Sequence, residues 1–190
     1  MRLKADDRIR KSIAHAAAKI VAQEGLENFL LAKKKAAQHL NISNKRLLPS
    51  NSEIEDALIE YQSLFHHEEQ TELIMHFRDT AYKAMLLLKD FKPLLTGSVL
   101  SGTANKNSEI IIHVFAEASE LISLFLESKR IPFTLCERRL KPEKKNAVYF
   151  NAIKFIAGDT TIVVIVLPQA LSKNAPIDPI TQRPMRRANL

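Results

Sequence analysis

The hydrophobic pattern of the chain changes near residue 91, and this change limits the fold more than any other feature. Before Phe91, apolar residues recur every three or four positions, which is the spacing of one helix face. After Phe91, short runs of β-branched residues take over, which is typical of strands. The sequence therefore predicts an α+β protein with a helical domain over residues 1–90, a mixed-sheet α/β domain over residues 91–170, and a basic, proline-containing tail over residues 171–190.

The first ninety residues are predicted to form four helices. Gly25 is expected to end the first helix as a left-handed residue, and Ser52 and Glu55 have the spacing of a capping box at the start of the third. The second helix is expected to expose its lysines opposite its apolar side. The apolar stripes contain Ile9, Ile13, Ala16, Ala17, Ile20 and Val21; Leu30, Leu31, Ala36, Ala37 and Leu40; Ile54, Ala57, Leu58, Tyr61, Leu64 and Phe65; and Leu73, Ile74, Phe77, Ala81, Ala84, Met85 and Leu88.

The second half of the chain is predicted to form one buried strand, three further strands and a helix. Residues 160–167 are apolar enough for a central, buried strand. Gly158 is expected to lie in the tight turn before it. The other predicted strands cover residues 108–116, 132–138 and 147–156, and the helix covers residues 117–128.

Charge is arranged in blocks along the chain. Residues 1–50 carry 11 Lys and Arg against 4 Asp and Glu, residues 51–90 carry 3 against 9, and residues 91–190 carry 14 against 8. Basic blocks are typical of proteins that neutralise nucleic-acid phosphates. They are equally consistent with domains that attract each other, or with ordinary solvated faces.

Composition excludes several classes of site. The chain has a single cysteine, Cys136, so it has neither an intramolecular disulfide framework nor a cysteine-rich zinc site. No apolar run approaches the ~18 residues of a membrane span, and the first residues are polar and charged. We therefore expect a cytoplasmic protein without membrane contacts.

The predicted N-terminal helices resemble the opening of tetracycline-repressor-type DNA-binding domains. The resemblance rests on the Glu24-Gly25-Leu26 helix end and on the pattern from Ala32 to Ser43. In that family the residues after the turn form a recognition helix that enters the DNA major groove. The resemblance implies a helix-turn-helix-like domain, although the corresponding stretch here is shorter and is interrupted by Pro49. The candidate nucleic-acid contacts are Lys33, Lys34, Lys35, Lys45 and Arg46. The alternative is that the helix-turn-helix shape serves only packing.

A second motif, from Leu95 to His113, resembles the signature of the nucleotidyltransferase fold. There a strand ends in Gly-Ser, a short helix follows, and two carboxylates at alternate strand positions hold two magnesium ions. The resemblance implies nucleotide binding by Gly97, Ser98, Gly102 and Thr103, and a metal ligand at Glu109. The second carboxylate position is Ile111, so His113 or Glu117 would have to assist Glu109 in any catalysis. The two glycines have an alternative interpretation, as caps of a tight turn.

Together, the two halves resemble a small proteobacterial family that joins a repressor-like N-terminus to a nucleotidyltransferase-like domain. The resemblance covers nearly the whole chain and includes Phe91-Lys92-Pro93, Gly102-Thr103-Ala104 and Ser108-Glu109-Ile110. Some members are labelled muramate–alanine ligase. The sequence lacks the Gly-Lys-Ser/Thr phosphate loop that such a ligase needs, and it is too short to hold both substrate domains.

The function that these residues favour is binding of a nucleotide or nucleic acid in a regulatory role, with little or no catalysis. One alternative is an active nucleotidyltransferase, for which magnesium would be the cofactor. A second alternative is an interaction scaffold, in which the acidic helices of residues 51–90 pair with a basic partner or with a second copy of the chain.

Overall fold

A computed structural model describes residues 2–26, 28–65, 67–142 and 146–190. Within these ranges the chain forms six α-helices and one five-stranded sheet, which confirms the α+β class. The helices are α1 (Arg2–Glu24), α2 (Phe29–His39), α3 (Asn51–Phe65), α4 (His67–Leu87), α5 (Ser98–Ser101) and α6 (Glu120–Ser128). The strands are β1 (Leu94–Thr96), β2 (Ile110–Phe115), β3 (Phe133–Leu140), β4 (Val148–Ala157) and β5 (Thr160–Leu167).

The chain divides into two compact units. The first runs to Leu73 and includes Asn105–Asn107, and the second comprises Ile74–Ala104 and Ser108–Leu190. The change in hydrophobic pattern predicts this boundary after residue 90. Residues 74–88 belong to the second unit and contain buried apolar side chains, namely Ile74, Phe77, Ala81, Ala84, Met85 and Leu88.

The core of the first unit is formed by α1, α2 and α3. As predicted, α1 ends at Glu24, and Gly25 follows with a φ of 66°. The buried face of α2 differs from the predicted one, because Leu30, Leu31 and Leu40 are exposed while small alanines face the core. The core residues are Ile13, Ala14, Ala17, Ala18, Ile20, Val21, Ala32, Ala36, Ala37, Ile54, Ala57 and Leu58.

The capping box of α3 is formed by Ser50 and Glu53, so the predicted pair, Ser52 and Glu55, is wrong. The Ser50 hydroxyl accepts a hydrogen bond from the Glu53 amide at 3.2 Å. In return, the Glu53 carboxylate accepts one from the Ser50 amide at 2.6 Å. This reciprocal arrangement satisfies two amides at the helix start that would otherwise lack partners.

The sheet of the second unit has the strand order β1-β2-β5-β4-β3. β2 and β5 pair in parallel at its centre, with Ile110 opposite Ile162. The other three pairs are antiparallel. β5 matches its predicted range, and almost all its side chains are buried, as expected for a central strand. β2 also contains a buried polar side chain, since His113 is fully buried.

The last residues of the chain pack onto the sheet of the second unit. The amide and carbonyl of Leu95 in β1 exchange hydrogen bonds of 2.8 and 2.9 Å with the carbonyl and amide of Ala188. The Thr96 hydroxyl donates to the Arg186 carbonyl at 2.9 Å. Residues 172–190 contain no helix or strand, as predicted, but the backbone of this segment extends the sheet beyond β1.

Candidate functional site

The predicted phosphate turn lies between β1 and β2. β1 ends at Thr96, which pairs with Ile111, so the next residues lie beside the start of β2. Gly97 has φ 80° and ψ −158°, a conformation that essentially only glycine adopts. Ser98 then begins the short helix α5. Gly97 is exposed and Ser98 is half-buried, so this part of the motif faces outward.

The other two predicted nucleotide ligands close the turn internally. Gly102 ends α5 with a φ of 86°, and its amide donates to the Ser98 carbonyl at 2.9 Å. The buried Thr103 hydroxyl lies 2.8 Å from the Ser101 hydroxyl. Arg78 of α4 donates to the Val99 and Leu100 carbonyls at 3.3 and 3.2 Å. These contacts match the alternative interpretation, in which Gly102 caps the turn.

Glu109 directly precedes β2, and both of its carboxylate oxygens bind basic side chains. Arg138 of β3 donates from Nη2 to Oε2 at 2.6 Å, and Lys154 of β4 donates from Nζ to Oε1 at 3.0 Å. Burial acts to raise the pKa of Glu109, but the hydrogen bonds and charges of Lys154 and Arg138 outweigh it, so that pKa lies below its usual value. Glu109 is therefore ionised at neutral pH and holds two cations from other strands.

The surroundings of Glu109 do not fit the magnesium site that the nucleotidyltransferase resemblance implies. Two-metal transfer needs several carboxylates facing the same space. Ile111 occupies the alternate position on β2, and both Glu109 oxygens already accept hydrogen bonds from cations. Among the described residues, no group of three or more Asp, Glu, His or Cys side chains is placed to hold a metal ion. We therefore derive no catalytic step through magnesium.

His113, the predicted assistant of Glu109, is fully buried within β2. Burial, and secondarily the charge of Arg187, lowers the pKa of this imidazole from 6.5 to about 3. The ring is therefore neutral at pH 7. Glu117, the other candidate, follows the C-terminal end of β2, whereas Glu109 precedes its start. Glu117 lines a cavity of about 380 Å³ together with Ser119, Tyr149 and Asn151. The structure brings neither residue into the ion pairs around Glu109.

The predicted nucleic-acid contacts have different environments within the first unit. Lys33 is buried, contrary to the expected exposed face, and its ammonium donates to the Pro49 carbonyl at 2.7 Å. Lys35 forms an ion pair with Glu24 at 2.6 Å. Lys34, Lys45 and Arg46 are exposed. The stretch that corresponds to the recognition helix forms only a three-residue 3₁₀ turn, Lys45–Leu47.

Comparison with known proteins gives no match. No family model, curated protein or solved structure matches the chain. None of the described helices is long and apolar enough to cross a membrane. The family resemblances stated above therefore rest on the sequence motifs alone.

Sequence reasoning missed the two basic partners of Glu109, Arg138 and Lys154, and also the contact of Arg187 with the sheet. For Arg138 and Lys154, a signal is present in the alternation of inward and outward side chains along β3 and β4. In β3, Cys136, Arg138 and Leu140 are half-buried while the residues between them are exposed. In β4, Lys154 interrupts an apolar run between Ile153 and Phe155. A cation among the more buried positions of a strand needs a partner.

Proposed function

We propose that the protein binds a nucleotide or another phosphorylated ligand beside Gly97 and Ser98, and that it does not transfer nucleotidyl groups. The observation that carries this proposal is the engagement of both Glu109 oxygens by Arg138 and Lys154. A carboxylate whose two oxygens both accept hydrogen bonds from basic side chains positions those side chains and does not bind a metal ion. The three side chains together keep one net positive charge.

The positions of the charges support an anionic ligand. Arg138 and Lys154 are about one third and nearly one half exposed, so their remaining donors reach solvent. Charge-assisted hydrogen bonds to phosphate are among the stronger polar contacts that a protein makes. Gly97 has no side chain to obstruct a phosphate that approaches the backbone near the start of β2. The same end of the sheet thus combines an open backbone with surplus positive charge.

Isothermal titration calorimetry with ATP, GTP, CTP and UTP tests the proposal. We expect at least one nucleotide to bind in EDTA as well as in magnesium, because the site does not depend on a protein-held metal. Arg138→Gln and Lys154→Gln should each weaken binding about tenfold, the effect of losing one charge-assisted hydrogen bond. The matched control is Arg139→Gln, since Arg139 is exposed on the same strand.

Two results would contradict the proposal. If none of the four nucleotides binds, the ligand class is wrong. If binding requires magnesium and a labelled nucleotide is transferred by the natural protein but not by Glu109→Gln, the active nucleotidyltransferase is the better interpretation. Equal, negligible transfer by both proteins is the outcome we expect.

A second candidate function, contact with nucleic-acid phosphates, is favoured by the exposure of Lys34, Lys45 and Arg46. Fluorescence anisotropy with a random DNA duplex over a salt series tests it. Replacing these three residues by Gln should flatten the salt dependence of binding, because each phosphate contact adds to the slope. Lys33→Gln should leave the slope unchanged, since Lys33 is buried and bonded to Pro49. Weak binding without salt dependence would exclude this function.

A further inference from the structure

Two polar side chains, the buried His113 and the half-buried Arg187, lie near each other on one face of the sheet. His113 of β2 is fully buried, and neither of its ring nitrogens has a hydrogen-bond partner among the described residues. Arg187 lies on the C-terminal segment, near enough for its charge to affect the imidazole. Its guanidinium carbon is 5.5 Å from the centre of the Phe115 ring, two residues beyond His113 on the same strand.

The guanidinium of Arg187 is only partly satisfied. Nη1 donates to the Leu171 carbonyl at 2.7 Å and to the Ser172 carbonyl at 3.3 Å. The Nε and Nη2 atoms are buried and have no hydrogen-bond partner in the part of the chain that the structure describes. Among the described residues, no carboxylate forms an ion pair with Arg187. Buried charges in proteins are normally paired, and unpaired ones are costly.

The arrangement of the unpartnered nitrogens of Arg187 and His113 indicates which kind of ligand could accept their hydrogen bonds. The Nε and Nη2 hydrogens form one edge of the guanidinium and point in parallel, which matches the two oxygens of a carboxylate or a phosphate. The neutral imidazole of His113 adds one further donor and one acceptor. Donors therefore outnumber acceptors in this cluster, as expected for a site that receives an anion.

We propose that His113 and Arg187 form a binding site for one small oxyanion, a carboxylate or a phosphate group, between β2 and the C-terminal segment. The anion accepts two parallel hydrogen bonds from Nε and Nη2 of Arg187 and a third from the imidazole of His113. This site is distinct from the nucleotide site proposed at Gly97 and Ser98, and it does not depend on it.

The test uses acetate and inorganic phosphate as probes on the full chain. The first readout is the chemical shift of the His113 ring nitrogens, assigned by through-bond correlation to the backbone. We expect a saturable shift with at least one probe, and the probe that gives it distinguishes a carboxylate from a phosphate. A bound water molecule in place of an anion would leave the shifts independent of both probes and would overturn the proposal.

The second readout is the dissociation constant of the effective probe. Arg187→Lys keeps the charge but removes the paired edge, so we expect binding about tenfold weaker or worse. Arg186→Lys is the matched control, because the Arg186 side chain is exposed and only its carbonyl contacts Thr96. Equal affinity in the two variants would overturn the proposal.

A further arm separates this site from the proposed nucleotide site. The double variant Arg138→Gln/Lys154→Gln should still show the anion-dependent shift at His113, even where nucleotide binding is lost. Loss of that shift in the double variant would show that the anion binds elsewhere and would overturn the proposal. Should Arg187→Lys fail to fold, the ring shifts of the natural protein remain decisive.

Discussion

Glu109 holds together two basic side chains that belong to two other strands. Without its carboxylate, Arg138 and Lys154 would face each other as like charges in a partly buried place. The residue therefore has a structural role that can be measured independently of any ligand. The sequence motif indicated a carboxylate at this position, but the role of that carboxylate depends on partners from β3 and β4.

We expect Glu109→Gln to lower the free energy of unfolding by about 1–2 kcal/mol at pH 7, since it removes two charge-assisted hydrogen bonds at a partly solvated site. The pKa of Glu109 is lowered in the folded state, so its contribution is complete above the ordinary value of 4.5. That contribution is lost as the pH falls through the lower folded-state pKa. Urea unfolding followed by circular dichroism should show a smaller difference between the two proteins at pH 3 than at pH 7.

The control for this prediction is Glu117→Gln, which changes an exposed carboxylate beyond the other end of β2. It should change stability by less than about 0.5 kcal/mol at both pH values. A Glu109→Gln protein as stable as the natural one at pH 7 would mean that the ion pairs contribute nothing.

At the scale of elements, the start of α3 shows how two overlapping signals compete. Ser50 with Glu53 and Ser52 with Glu55 both have capping-box spacing. The structure uses the first pair, directly after the buried Pro49, whose carbonyl binds Lys33. α3 begins at Asn51, so Ser50 directly precedes the helix and Ser52 already lies within it, and local sequence spacing does not show which of the two positions is the start.

Substitution of these serines distinguishes the two caps. Ser50→Ala should destabilise the protein by about 1 kcal/mol, the usual effect of losing an N-cap side chain. Ser52→Ala should cost less than half of that, since the hydrogen bond described for its hydroxyl is to the Ser50 hydroxyl, at 3.0 Å, and not to a helix amide. Thermal unfolding of both variants under one condition is the measurement. A larger effect at Ser52 would reverse the assignment of the cap.

Elements with a strong local pattern were predictable, and those defined by distant partners were not. The stripe of α1 and the apolar run of β5 determine their own structures, so their positions were predicted well. β1 has only three residues, which is too short for a hydrophobic pattern to define its range. Arg138 and Lys154 meet Glu109 only because of the order of the strands, which no local pattern contains. Sequence patterns therefore did not reveal Arg138 and Lys154, the residues whose place in the site depends on strand pairing.

At the scale of the whole molecule, the C-terminal segment is part of the second unit. Its residues bond to β1 and cover the face of the sheet that contains His113 and Phe115. The sequence predicted a separate basic tail, because its prolines and arginines match the composition of a loop. Composition does not show that such a segment has a docking surface.

Deleting residues 183–190 tests this role. The deletion removes four backbone hydrogen bonds, two of them between Leu95 and Ala188, together with the acceptor of Thr96, so the second unit should lose about 2 kcal/mol or more of stability. Hydrogen exchange measured by mass spectrometry should show faster exchange in β1 and β2, with α1 and α3 unchanged. Unaltered protection of β1 would show that the segment is dispensable. Arg186→Ala is the control, since only the carbonyl of Arg186 is used.

The strand order of the sheet also has a consequence for the order of folding. β3, β4 and β5 pair with their neighbours along the chain, so little chain entropy is lost when they form. β2 pairs with β5, and the chain between them contains the other two strands of this β3-β4-β5 meander. The pairing of Leu95 with Ala188 closes a still longer loop of the chain. We expect pulse-labelling hydrogen exchange to find the meander protected first and β1 last. The face that contains His113 and Arg187 would then be the last part of the second unit to lose its water.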